Sequence, residues 1–340
     1  MDALPEFAIL RPKTLKDMQK SLAQNEGSRL IGGGTDILVN IRRGILAPSV
    51  LVDTNDVKEL KTIRADAKSL EIGASATLME VAQHPAILKH YPVVAQAAAQ
   101  IAGPTHRNMG TVGGNLCLDT RCIYYNQSEW WRSANNHCLK TTGTKCHVAP
   151  KSHGVCFATF AGDLAPAMLT LGAEIDIANP QGGVRTVPLN ALYIGYSRHN
   201  EEPTEERGDG KRFLSLKPGE FVTAVRAKNT PGLRSAYDKV RIRRSIEYPV
   251  AGVAVALRRE GDKLADLRIA ITGTNPRPVL LEGVAGLCGG PLDDKFVKGL
   301  DELARDQIMP MKTTFTPGTY RRKVAGVLAL RVVRRLFDAA

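Results

Sequence analysis

Apolar and polar positions change period several times along the chain, and each change marks an element. Phe7-Ala8-Ile9-Leu10 is an apolar run stopped by Arg11-Pro12, which predicts a strand. Thr14 stands where a helix cap belongs, with Leu15, Met18 and Leu22 recurring on one face behind it. Arg29-Leu30-Ile31 predicts a second strand, running into Gly32-Gly33-Gly34-Thr35-Asp36. A helical turn through Ile37, Leu38 and Ile41 follows, then a third strand at 49–53. Strands alternating with helices predict a small parallel β–α unit.

Ser69-Leu70-Glu71-Ile72-Gly73-Ala74 opens a second unit. A helical pattern through Met79, Val81, Ile87, Val93 and Ala97 to Ile101 is interrupted near Pro85 and Pro92, because proline removes a backbone donor. Strands are expected at 174–177, 184–187 and 221–226, and the polar stretch 198–211 as a surface loop. Thr230-Pro231-Gly232 reads as a domain boundary. Beyond it, 236–243, 252–257 and 267–272 predict a three-stranded antiparallel meander. Helices are expected near 294–303 and 319–337, the last with Val324, Leu328, Val332 and Leu336 on one stripe. The class is α+β.

Composition narrows this. At 340 residues the chain calls for two or three domains. With 43% hydrophobic and 24% charged residues it has the balance of a soluble globular protein. No apolar run reaches the roughly 18 residues of a membrane span. The first residues, Met1-Asp2-Ala3-Leu4-Pro5-Glu6, lack the regions of a signal peptide, so a cytoplasmic protein is expected. The net charge of +12 comes from 46 Lys+Arg against 34 Asp+Glu. Its dense runs, at 241–244, 321–323 and 331–335, lie in periodic elements without interleaved aromatics. They predict a solvated or subunit-facing surface rather than a nucleic-acid site, and could steer an acidic electron-transfer partner.

Two features carry candidate chemistry. The turns Gly32-Gly33-Gly34 and Thr111-Val112-Gly113-Gly114-Asn115 lack Cβ atoms where backbone N–H groups could close on an anion. Neither is a Rossmann fingerprint or a P-loop. Between them and Gly162-Asp163-Leu164 lie Cys122, Cys138, Cys146 and Cys156, separated by 15, 7 and 9 residues. The same stretch holds both tryptophans, Trp130 and Trp131, and His137, His147 and His153. Clustered thiols in reducing cytosol indicate metal or redox chemistry. Zinc knuckles are absent, as is the plant-type 2Fe–2S pattern, of which Cys117-x₄-Cys122 supplies only the first interval. Spacing alone leaves zinc and a 4Fe–4S cluster open. No nucleophile–base pair stands out.

The two turns, with Gly162-Asp163-Leu164-Ala165-Pro166 and Tyr237-Asp238-Lys239-Val240-Arg241, resemble the FAD-binding subunits of the molybdenum hydroxylases, the family of xanthine and carbon monoxide dehydrogenases. The resemblance covers nearly the whole chain in order. It implies a two-part FAD-binding region of the vanillyl-alcohol-oxidase (PCMH) type, 1–56 and 57–230 with an insert at 119–160. An α+β C-terminal domain, 231–340, would follow. It implies that Ile31, Gly32, Gly33, Gly34, Thr35 and Asp36, flanked by Leu30 and Ile37, wrap the FAD pyrophosphate. Ile101, Ala102 and Thr105 would approach the ring or its linker. Thr111, Gly113, Gly114 and Asn115 would hold the ribityl and phosphate part, Asp163 a hydroxyl, and Lys239 would lie near the isoalloxazine. Without the resemblance, Asp163 reads as a cap before Leu164 and Lys239 as a solvated strand charge. On the family reading Cys117 points into the flavin domain as a buried thiol; Cys288 reads as structural.

Asp119-Thr120-Arg121-Cys122, Tyr125-Asn126-Gln127-Ser128-Glu129-Trp130-Trp131-Arg132-Ser133, Cys138-Leu139-Lys140 and Lys145-Cys146-His147-Val148 resemble the flavoprotein subunits of the 4-hydroxybenzoyl-CoA reductases, a branch of that family. The stretch before Cys156 is one residue longer than that pattern. The resemblance implies a 4Fe–4S cluster on Cys122, Cys138, Cys146 and Cys156. Trp130 and Trp131 are expected to cover it, with the histidines solvated or hydrogen-bonded. It further implies electrons passing from ferredoxin through 4Fe–4S and FAD to a small subunit with two 2Fe–2S clusters. From there they would reach a molybdopterin-binding large subunit that dehydroxylates 4-hydroxybenzoyl-CoA to benzoyl-CoA. A dimer of heterotrimers is expected. Two alternatives stand beside this: an FAD subunit of a hydroxylase oxidising an aldehyde or N-heterocycle, and a zinc-binding scaffold.

Overall fold

Strands β1 (Ala8–Leu10), β2 (Arg29–Ile31) and β3 (Val50–Asp53) form a parallel sheet in the order β1-β3-β2. Helices α1 (Leu15–Gln24) and α2 (Ile37–Arg42) connect them. The computed structural model describes residues 4–152, 154–196, 204 and 206–339. Residues 1–3, His153 and half of the loop expected at 198–211 therefore lie outside the described residues. Thr14 caps α1 by accepting the Asp17 N–H at 3.1 Å, and Met18 and Leu22 bury against Val52, Val57 and Leu60.

The second layer holds β4 (Ile63–Ala65), β5 (Ser69–Gly73), and helices α3 (Leu78–Gln83), α4 (Pro85–His90), α5 (Pro92–Gln100), α6 (Pro104–Arg107), α7 (Val112–Leu116), α8 (Glu129–Ala134) and α9 (Leu164–Thr170). It continues through β6 (Glu174–Ala178), β7 (Val184–Pro188) and β8 (Phe221–Lys228). Three of its helices begin on a proline, the position where the missing N–H costs nothing. The sheet is antiparallel, β4-β5-β8-β6-β7, so β8 lies between strands from both ends of this region.

Strands β9 (Arg234–Val240), β10 (Ala251–Glu260), β11 (Lys263–Thr272) and β12 (Val279–Leu280) form an antiparallel sheet, followed by α10 (Asp294–Gln307) and α11 (Gly318–Asp338). The expected meander thus has a fourth strand, two residues long and too short to show a period. Alternation along β10 explains how this sheet is covered on both faces. Val253, Val255 and Leu257 meet Phe296, Leu300, Leu328 and Val332 of α10 and α11. Ala254, with Ala270 and Tyr237, joins the core of the second layer, where small side chains let α5 and α9 approach. No helix among the described residues is long and apolar enough to cross a membrane.

Two surface expectations are corrected. Arg321, read as part of a solvated basic run, is 1% exposed because its guanidinium serves backbone carbonyls. The described end of the polar loop turns inward, burying Asp209.

Candidate functional site

The glycine turn after β2 lies directly against the second turn. A Cβ on Gly33 would stand 1.8 Å from the Met109 carbonyl oxygen, and one on Gly32 would be 3.0 Å from Thr111. Gly34 has φ +71, a left-handed conformation that favours glycine. Asn55 donates to the Gly32 carbonyl at 2.9 Å and to Asp53 at 2.7 Å, fixing the turn from behind. Because α2 has only six residues, the cradle owes more to this close backbone approach than to a helix dipole.

Thr111 caps α7 by accepting from Gly114 N at 3.2 Å. Gly113 donates to the Ala74 carbonyl at 2.8 Å, and a Cβ there would strike Ala74 at 2.9 Å. Asn115 reaches the next motif: its Oδ1 accepts the Leu164 N–H at 3.0 Å. The turns at 32–34 and 111–115 and the segment 162–164, remote in sequence, therefore form one continuous surface. Ala102 sits at φ +43, and the carbonyls of Ile101 and Ala102 both accept from Arg107. Thr105 is exposed on α6.

Asp163 precedes α9 but makes no side-chain cap, which corrects the capping expectation. Its carboxylate accepts from Tyr237 Oη and pairs with Lys239 Nζ at 3.1 Å. The Lys239 side chain is 0% exposed and that of Asp163 4%, so Lys239 is not a solvated strand charge. Burial pushes the Asp163 carboxyl up, and the Lys239 ammonium opposes that shift.

The cysteine insert closes at its base through paired backbone bonds between Arg121 and Thr159, 2.7 and 2.8 Å. Within it all four thiols are buried: Cys122 8%, Cys138 6%, Cys146 7% and Cys156 5% exposed. They line one small cavity with Tyr124, Tyr125, Lys140 and His147. Among the described residues no three Cys, His, Asp or Glu side chains converge tightly enough for a single metal ion; the sulfurs are spread around the cavity. Burial pushes the Cys122 thiol up to about 12 and raises that of Cys156. Such thiols stay protonated unless a metal displaces the proton.

Backbone-to-side-chain hydrogen bonds shape the cage. Cys122 N donates to Asn126 at 3.0 Å, Cys138 N to Thr141 at 3.3 Å and Cys156 N to Asp209 at 2.9 Å. His147 bonds the His137 carbonyl at 2.5 Å and stacks near Tyr124, which also meets Trp131. Trp131 is half-buried against Tyr124, but Trp130 is 79% exposed, which corrects the expectation that both indoles cover the thiols. On a six-residue helix adjacent side chains diverge by about 100°, and only one can face inward.

The cage is tied to the first turn. Arg121 pairs with Asp36 of the glycine turn and lies 4.6 Å over the Tyr248 ring. Arg132, 1% exposed, donates to the Arg43 carbonyl at 2.9 Å, just beyond α2. Sequence reasoning missed Arg121, Arg132, Asn55 and Asp209. Arg121 and Arg132 stood in the runs that carry the resemblance but without a role, and Asn55 left the Asp53-x-Asn55 turn spacing.

Residues 5–227 match the FAD binding domain in molybdopterin dehydrogenase, and 235–336 the CO dehydrogenase flavoprotein C-terminal domain. The aldehyde oxidoreductase FAD-binding subunit PaoB of Escherichia coli (strain K12) is 29% identical over 81% of this chain and 84% of its own. The carbon monoxide dehydrogenase medium chain of Afipia carboxidovorans is 26% identical over 97% and 96%. Among solved structures, a chain of the cyanide-inactivated Cu,Mo-CO dehydrogenase superposes with TM-score 0.78 at 25% identity, covering 100% of both chains. The expected architecture, a PCMH-type FAD-binding domain followed by an α+β domain, is the one found.

Proposed function

The chain belongs to the FAD-binding subunits of the molybdenum hydroxylase family, and from that premise we propose an electron-transfer subunit that also holds a 4Fe–4S cluster in its cysteine insert. One observation carries the second half: four buried thiols around one cavity, in an insert bonded to the glycine turn. FAD, when bound, supplies exchange between one- and two-electron steps. Residues 30–37 and 111–115 would hold its phosphates and ribityl chain, Ile101, Ala102 and Thr105 would border the ring or its linker, and Asp163 and Lys239 would meet its polar edge. The thiols of Cys122, Cys138, Cys146 and Cys156 would ligate the cluster. We divide the chain at 56 and 230, with the insert at 119–160.

The relatives are named as subunits or medium chains. By that analogy the partners are a molybdopterin-binding large subunit and a small subunit with two 2Fe–2S clusters, in a cytoplasmic dimer of heterotrimers. For the substrate, the relatives' names support an oxidising hydroxylase of the aldehyde or N-heterocycle kind, and this reading has the broader support. The insert favours a second reading, a 4-hydroxybenzoyl-CoA reductase fed by ferredoxin. The assembled complex decides between them: aldehyde-dependent or heterocycle-dependent dye reduction supports the first, and reductant-dependent release of benzoyl-CoA the second. Iron and acid-labile sulfide analysis tests the cluster, with about four irons per chain expected. Zinc in their place would sink it. Cys146→Ser should abolish the iron signal and leave the flavin band; loss of both would make the insert a structural part of the flavin site.

A further inference from the structure

Among the described residues, the cavity between the four cysteines has a single Lys or Arg in its lining, Lys140. The Lys140 side chain is 5% exposed. Its ammonium lies 4.5 Å from the Tyr125 ring centroid and 5.7 Å from that of Phe213. It donates to Asp119 Oδ1 at 2.6 Å and to the Thr120 carbonyl at 3.0 Å, and also bonds Thr120 Oγ1. Asp119 is held from its other side by the Tyr125 hydroxyl at 2.9 Å. A second carboxylate, Asp209, stands behind Cys156 and accepts three backbone N–H groups, from Cys156, Lys211 and Arg212. Lys140 thus brings a positive charge to the cavity wall, with Asp119 in direct contact behind it.

A buried ammonium is costly unless negative charge shares its surroundings. Asp119, 32% exposed, supplies part of that charge. Four thiolates around the cavity would supply the rest. We infer that Lys140 and Asp119 form an opposed pair setting the reduction potential of the group the four cysteines hold, Lys140 raising it and Asp119 lowering it. This rests on the 4Fe–4S reading above. Adding one electron adds one negative charge to the cavity. A cation at its wall stabilises the reduced form more than the oxidised one, and an anion does the reverse, each with Coulomb energy falling as distance grows.

The test uses the full-length protein, reconstituted anaerobically with iron and sulfide, and a redox titration followed by electron paramagnetic resonance. Lys140→Met should lower the equilibrium constant for cluster reduction about tenfold, which for a one-electron couple is about 59 mV toward negative potential. Asp119→Asn, which keeps the shape, should move it a similar amount toward positive, and the double variant should fall between them. A purely packing role would not give opposite signs. Single variants that shift in the same direction, or not at all, with iron content as in wild type, overturn the inference and leave the cluster reading intact. A wild-type chain that takes up no iron and sulfide overturns both. Should Lys140→Met lose its cluster, Lys140→Arg retains the charge. Retention there, with the positive shift in Asp119→Asn, supports the inference; loss in Arg with Asp119→Asn unmoved overturns it.

Discussion

Asp163 and Lys239 lie 76 positions apart yet share a buried site, with Tyr237 as the third member. Removing one partner strands the other charge. Asp163→Ala should cost about 3–5 kcal/mol in urea unfolding, whereas Asp163→Asn combined with Lys239→Met should cost distinctly less. Gly33 is subject to sterics instead. In Gly33→Ala the new methyl meets the Met109 carbonyl, so the turn must shift. Flavin affinity should fall at least about tenfold, roughly 1.4 kcal/mol, read from flavin retained after gel filtration. Cys117 gives a pH signature. Burial pushes its thiol up to about 12 from 9.0. The unfolded chain ionises first, so this thiol's contribution to stability is full below about pH 9 and lost between there and about pH 12. Wild type minus Cys117→Ala in alkaline denaturation isolates that slope; a difference that stays flat from pH 8 to 12 would refute it.

At the scale of elements, the cysteine insert has little regular structure beyond α8, and side chains locate it. Arg132 is the main latch, donating to Gln127 and Arg43 carbonyls and pairing with Glu129. Arg132→Met should destabilise the insert locally by about 2–3 kcal/mol, seen as faster proteolytic nicking within 122–156 while the sheets stay protected from hydrogen exchange. Much of the element pattern was legible beforehand. The prolines at 85 and 92 divide a long helical pattern into α3, α4 and α5 because each ring removes an N–H. Thr14 caps α1 as its position indicated. β4 and β12, three and two residues long, were not read from the sequence. Nor was the inward turn of the 206–211 segment, whose polar composition reads as solvated although Asp209 is buried and accepts three backbone N–H groups.

At the scale of the molecule, the three sheets meet around the candidate site, and Arg321 is one of the ties. It donates to the carbonyls of Val250, Gly273 and Met311 and to Thr313, joining α11 to the strand ends and to the segment against the insert. Burial pulls its guanidinium down to about 10. Arg321→Met should cost about 3–5 kcal/mol in thermal or chemical unfolding. Arg321→Lys should recover little of it, because one ammonium cannot reproduce the planar fork. Recovery to near wild-type stability by lysine would show that charge alone matters there.

The sequence by itself determined where many of the strands and helices begin, because cap, proline and period act within a few residues of one another. It also placed every candidate ligand: glycines where backbone must approach, and thiols in one run. The tertiary structure decided which of these meet. It set the 32–34 turn on 109–111, turned Asp163 away from its helix and toward β9, and pointed Trp130 outward while Trp131 turned in. Those outcomes follow from long-range strand order and from which face of each element is buried, and such packing is a property of the whole chain, written in no local pattern.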